Sequence, residues 1–198
     1  MRATERADSA ALSVLNAGYG DGMSGAKVGS LIGAVGGLTF IASNAGVLPG
    51  AWPLVLRLVG ICTFMLVVAL ILRADIIGRG VAPTRAQLRN YGFTVLAEVL
   101  AIVVGSRILV SVFDLAEATL PWVATVVGAH FVVFARIFKE PVFAGLGIPM
   151  TTFGLAGMVV AARGAAKSTI GVVGGIVPGS ILLVAVGWSA WVGHRSKA

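Results

Sequence analysis

The sequence predicts an all-α fold: a polytopic membrane bundle of about six transmembrane helices with both termini cytoplasmic. Three observations carry this. First, 58% of the residues are hydrophobic and 12% are charged, about half the charged fraction of a soluble domain. Mean hydropathy is +0.98. Second, six apolar runs of roughly 20 residues succeed one another, the length an α-helix needs to cross a bilayer. Third, Lys and Arg gather at alternate ends of these runs, as the positive-inside rule requires. The net charge of +7 does not indicate nucleic acid, because the basic residues lie at run ends and form no patch or RNA-binding motif. The single cysteine, Cys62, excludes an intrachain disulfide.

Residues 1–25 are polar enough to stay out of the bilayer. Thr4 or Asp8 can cap a short surface helix carrying Leu12, Val14 and Leu15. Gly20 to Gly25 has GxGxxG spacing, but no strand precedes it, so a flexible hinge accounts for it better than a phosphate cradle.

The membrane domain covers 26–193, with spans expected at about 28–48, 52–72, 91–113, 120–138, 141–162 and 170–192, and a basic tail at 194–198. Pro49-Gly50 closes the first span, and a basic loop from Arg73 to Asn90 separates the second from the third. With six spans the termini share a side with the loops holding Arg73, Arg79, Arg85, Arg89, Arg136 and Lys139. The opposite side holds only Arg163 and Lys167. Trp52 and Trp122 then mark the outer interface, and Tyr91, Trp188 and Trp191 the inner one.

Span one carries Gly29, Gly33 and Gly37, and span six Gly171, Gly175 and Gly179. Each is a doubled GxxxG, a flat stripe on which another backbone can approach closely. Packing of these two spans on each other is expected. Homo-oligomerisation through one stripe is the alternative; more generally, a membrane-protein partner is possible for the bundle. Pro149 and Pro178 are expected to kink spans five and six.

Ionisable residues inside a span are costly and normally face protein or water. Arg57 and Arg107 come to similar depths near the outer side, with Asn44, Ser111 and Asp114 at that level. They read as an anion pocket or, more simply, as arginines snorkelling to lipid phosphates and to Asp114 or Glu117. Glu98 and Arg136 share a depth nearer the inner side, with His130 about 8 or 9 Å above. Glu98 is therefore expected to pair with Arg136. Together with His130 the two form either a proton relay or a polar pin between spans three and four. The pin is the simpler account, because one Glu–Arg pair already explains why both charges are tolerated. A neutral His130, with apolar neighbours in its own span, needs partners from another span or from water.

Gly128-Ala129-His130-Phe131, continued by Ala135, Phe138 and Lys139, resembles a motif of small multi-span bacterial membrane proteins carrying a domain of unknown function. There a Gly-Ala-His-Phe core inside a span precedes an aromatic, Lys-containing span end. The resemblance implies a family without an assigned activity, and marks Gly128, His130 and Phe131 as motif residues.

No HExxH, GxSxG or carboxylate pair within one span is present, so no catalytic residue, metal site or cofactor is expected. Two functional classes remain. One is a non-catalytic bundle that is structural, binds a membrane partner or interacts with lipid. The other is a small proton-linked transporter or channel using Glu98 and His130.

Overall fold

A computed structural model describes residues 25–73 and 84–195. The expected surface helix and GxGxxG hinge lie outside these residues, as does most of the basic loop. All regular structure among the described residues is helical, and six helical segments are long and apolar enough to cross a membrane. Helices α1 (Gly25–Ala45), α2 (Trp52–Arg73) and α3 (Arg85–Ser111) come first. A 3₁₀ turn (Ala116–Ala118) leads into α4 (Thr119–Phe138), followed by α5 (Pro141–Ala162). The sixth segment runs through α6 (Lys167–Gly171), a π-helical turn (Val172–Ile176) and α7 (Val177–Arg195).

The apolar runs set these boundaries closely, with one exception. Tyr91 was expected to open the third span, yet α3 begins six residues earlier. Thr84 and Gln87 form a capping box there, each side chain holding the other's backbone N–H, at 3.2 and 2.9 Å. The cap extends the helix through a polar turn that hydropathy reads as loop.

The sixth segment is the axis of the bundle. Half of its apolar window is buried, against none of α3's. On one side Leu183, Val186 and Ala190 pack with Ala34 and Ile41 of α1 and Val67 and Ile71 of α2. On the other, Leu182 and Phe40 meet Ala124 of α4 and Met150 of α5. Pro178 is fully buried in this segment. It lacks an N–H and crowds the carbonyl one turn back, and the π-helical turn immediately before it absorbs that irregularity.

The glycine stripes of the first and sixth segments do face each other, with one correction. A Cβ at Gly37 would stand 2.9 Å from the carbonyl oxygen of Gly179, and one at Gly179 would stand 2.8 Å from that of Gly37. Gly175 instead makes room for Asn44, which is 3% exposed and donates from Nδ2 to the Phe40 carbonyl at 2.8 Å, while a Cβ at Gly171 would collide with the Val47 side chain. Gly29 takes no part, since a Cβ there would meet nothing within 4 Å.

A second and tighter seam joins α4 to α5. Gly128 faces Thr151, Thr125 faces Gly154, and Val132 faces Gly147, a constant antiparallel register. Thr125 and Thr151 donate to carbonyls one turn back, Pro121 O at 2.9 Å and Gly147 O at 2.8 Å, so neither hydroxyl is left unsatisfied at the contact. The connection is short because Lys139 takes a left-handed backbone (φ 56°) that ends α4, and Pro141 opens α5.

Gly128→Val should force the α4 and α5 backbones apart and cost about 1–3 kcal/mol, as overpacking does. Gly29→Val, in open space, should cost far less. Thermal unfolding of the two variants in detergent checks the contrast; equal losses would mean that the seam is not the tight contact.

Candidate functional site: the α3–α4 polar contact

Helix α3 buries no residue, and its packing is almost wholly against α4 and the 3₁₀ turn. Its attachment therefore rests on a few directional contacts spaced along one face. Gln87 Nε2 donates to the Ile137 carbonyl at 3.0 Å, satisfying an acceptor in the last turn of α4. Tyr91 stacks on Phe134, centroids 5.1 Å apart, and meets Phe138 edge-on. Farther along, Trp122 Nε1 donates to the Ala101 carbonyl at 2.9 Å. The indole lies so close to Gly105 that any side chain there would collide with it.

The acidic member of this ladder is Glu98. Its Oε1 lies 2.8 Å from His130 Nδ1, and each side chain is 14% exposed. The expected Glu98–Arg136 pair does not form: the carboxylate meets His130, and Arg136 is exposed. Arg136 lies six residues beyond His130, about 9 Å along the helix and some 120° around it. The interface markers account for the error. Trp122 was expected at the outer interface, but it turns inward onto Ala101, ten residues before the end of α3. Depths counted from it place Arg136 too high and His130 higher still.

The Glu98–His130 approach is close but not aligned as a hydrogen bond, and neither enclosed ring nitrogen has an aligned partner among the described residues. With one proton between them, the two groups carry no net charge whichever holds it, which limits the cost of burial.

The rest of the motif now has physical roles. Gly128 admits the α5 backbone, and His130 reaches across to α3. Phe131 stacks on the imidazole, centroids 4.7 Å apart at 18°, while Phe134 meets the ring edge-on at 4.2 Å. Phe143 of α5 completes the aromatic packing against Phe131 and Phe134.

The polar residues expected near the outer side are not gathered into one site. Arg57 points at the end of α1, its Nε 3.5 Å from the Ala42 carbonyl, with Gly46 leaving space for the guanidinium. A cation there complements the C-terminal helix dipole. Arg107 is exposed, and among the described residues it pairs with neither Asp114 nor Glu117. Glu117 is taken by Lys167 at 3.0 Å instead. Helix α2 packs on α1 and α7 while α3 packs on α4, so no shared face brings the two arginines together.

A double-mutant cycle with Glu98→Gln and His130→Gln should return a favourable coupling between about 0.6 kcal/mol, the average for polar pairs between membrane helices, and about 1.7 kcal/mol, the largest found. Pairing Glu98→Gln with Arg136→Gln should return additive losses. The opposite pattern in thermal or denaturant unfolding would restore Arg136 as the partner.

Comparison with known proteins finds no matching family model, no matching curated protein and no matching solved structure.

Proposed function

We propose that this chain is a non-catalytic multi-pass protein of the cell membrane, a structural, partner-binding or lipid-interacting bundle in which Glu98 and His130 fasten α3 to α4. The observation that carries the reading is their 2.8 Å contact across a helix that buries none of its own residues. A fastening needs only a net-neutral pair enclosed by rings, and the packing of Phe131, Phe134 and Tyr91 around it suits that role. Both termini are assigned to the cytoplasm, because Arg73, Arg85, Arg89, Arg136 and Lys139 share their side while Arg163 and Lys167 stand opposite. Lipid, a second copy or another membrane protein covers the exposed apolar faces, and nucleic acid is not a partner.

A second reading has one observation in its favour. His130 Nε2 is enclosed without an aligned partner and sits beside a carboxylate, an arrangement that a proton-linked transporter or channel also uses.

Reconstituted liposomes separate the two. As a fastening, His130→Phe lowers the thermal unfolding temperature, and wild type and variant show the same proton flux under an imposed pH gradient. A wild-type flux that His130→Phe abolishes at unchanged stability would establish the transporter instead.

Topology is checked by cysteine labelling in a Cys62→Ser background. An impermeant reagent outside intact cells should reach probes at Glu117 or Gly164 and fail at Arg85. The reverse would invert the orientation.

A further inference from the structure

We propose that α3 is a pH-responsive arm: one proton shared by Glu98 and His130 clamps it onto α4, and loss of that proton as pH rises lets it move away. The inference rests on reading this pair as the fastening of α3, and adds its regulation. The pair sits where a change of charge acts on one helix alone. Helix α3 buries no residue and packs on α4 and the 3₁₀ turn. Helix α4, by contrast, is locked to α5 by close backbone contacts at Gly128, Gly147 and Gly154. A change in the attraction between Glu98 and His130 is therefore taken up by α3.

The charge arithmetic sets the direction. Glu98 Oε1 stands 2.8 Å from His130 Nδ1, and each side chain is 14% exposed. With one proton the pair is neutral, and an imidazolium beside a carboxylate makes a charge-assisted contact, roughly twice as strong as a neutral one. Phe131 favours that state as well. Its ring lies nearly parallel to the imidazole with centroids 4.7 Å apart, within the roughly 6 Å over which an aromatic face attracts a cation. Without the proton, the pair holds one uncompensated negative charge in a largely enclosed site, a state that burial penalises. Movement of α3 away from α4 hydrates the carboxylate and relieves it. An imidazole ordinarily exchanges its proton between pH 5 and 8, so the arm is clamped at the acid end of that range and loosened at the alkaline end.

The surroundings leave the pair to itself. On α3, Arg89 and Arg107 each lie nine residues from Glu98, about 13 Å along the helix and half a turn around it, and both are exposed. Tyr91 shares the face of Glu98, but a phenol ordinarily titrates near pH 10. On α4, Arg136 is some 120° around from His130, and Lys139 lies past the helix end. Helix α5 and the π-helical turn carry no titratable side chain. Lys167 of α6 and Glu117 of the 3₁₀ turn are engaged with each other. Helices α1 and α7 reach α4 at Ala124 through Phe40 and Leu182. Their titratable residues, Lys27 and His194, stand thirteen and twelve residues away from those contacts.

Spin labels at Val103 of α3 and Val184 of α7, in a Cys62→Ser background, follow the arm in detergent at pH 6 and pH 8.5. The unaltered pair should give a narrow distance distribution at pH 6 and a broadened or displaced one at pH 8.5. His130→Gln, which keeps hydrogen-bonding capacity but takes up no proton, should give the same distribution at both. A distribution that pH leaves unchanged in the unaltered pair, or a change that survives His130→Gln, overturns the arm. Amide hydrogen exchange on the chain with its pair intact needs no substitution there. After correction for the intrinsic pH dependence of exchange, α3 should exchange about fivefold faster relative to α5 at pH 8.5 than at pH 6, roughly the advantage of a charge-assisted bond over an ordinary one. An unchanged ratio overturns the arm. Glu98→Leu separates this result from the reading beneath it. If it broadens the distribution at pH 6 while the unaltered pair ignores pH, the fastening stands and its regulation fails; if it changes nothing at pH 6, the fastening itself fails.

Discussion

A helix that buries none of its residues must be held by contacts of high individual value, and α3 is held largely through α4. Among the described residues, the close approach of Glu98 to His130 is the one ion pair on that face. Both side chains are only 14% exposed, so separating them leaves two largely buried ionisable groups without a counterpart. The energetic weight of the contact lies in this asymmetry more than in the strength of the pair. Gln87, Tyr91 and Trp122 set the register in which the two groups can meet.

The remainder of the bundle is built on the opposite principle. Between α4 and α5, and between α1 and the sixth segment, glycines let backbones approach until side chains of the facing helix touch main chain. Such seams are rigid because they offer no alternative packing. The outcome is a firm five-helix body to which α3 is attached along one edge. That contrast gives a physical reason for expecting any large motion of the chain to occur at α3.

The sequence made the elements legible but not their azimuths. Length and apolarity located six helices because both quantities are averages over many residues. The pairing of Glu98 failed because depth alone fixes one of three coordinates, and its reference point, Trp122, was turned inward by its bond to Ala101. The capping box at Thr84 and Gln87 was present as the pattern Thr-x-x-Gln and would have extended α3 correctly. The α4–α5 seam left a fainter trace. Gly147, Thr151 and Gly154 follow a small-residue spacing, but it becomes meaningful only once Gly128 and Thr125 are seen opposite. His130 was marked as needing partners from another span or from water, and Glu98 of α3 lies 2.8 Å from its Nδ1 without an aligned hydrogen bond. Gly128, His130 and Phe131, which the resemblance singled out, contact α5, α3 and the aromatic cluster respectively.

The central claim is that the Glu98–His130 contact holds α3 against the rigid body. Electron spin resonance tests it most directly, by measuring the distance between spin labels at Val103 of α3 and Val184 of α7, both exposed, in a Cys62→Ser background. The account predicts a single narrow distance distribution for the otherwise unaltered chain, and a broadened or displaced one when Glu98→Leu is added. A distribution that Glu98→Leu leaves unchanged would contradict it, and would assign the position of α3 to its apolar and aromatic contacts alone.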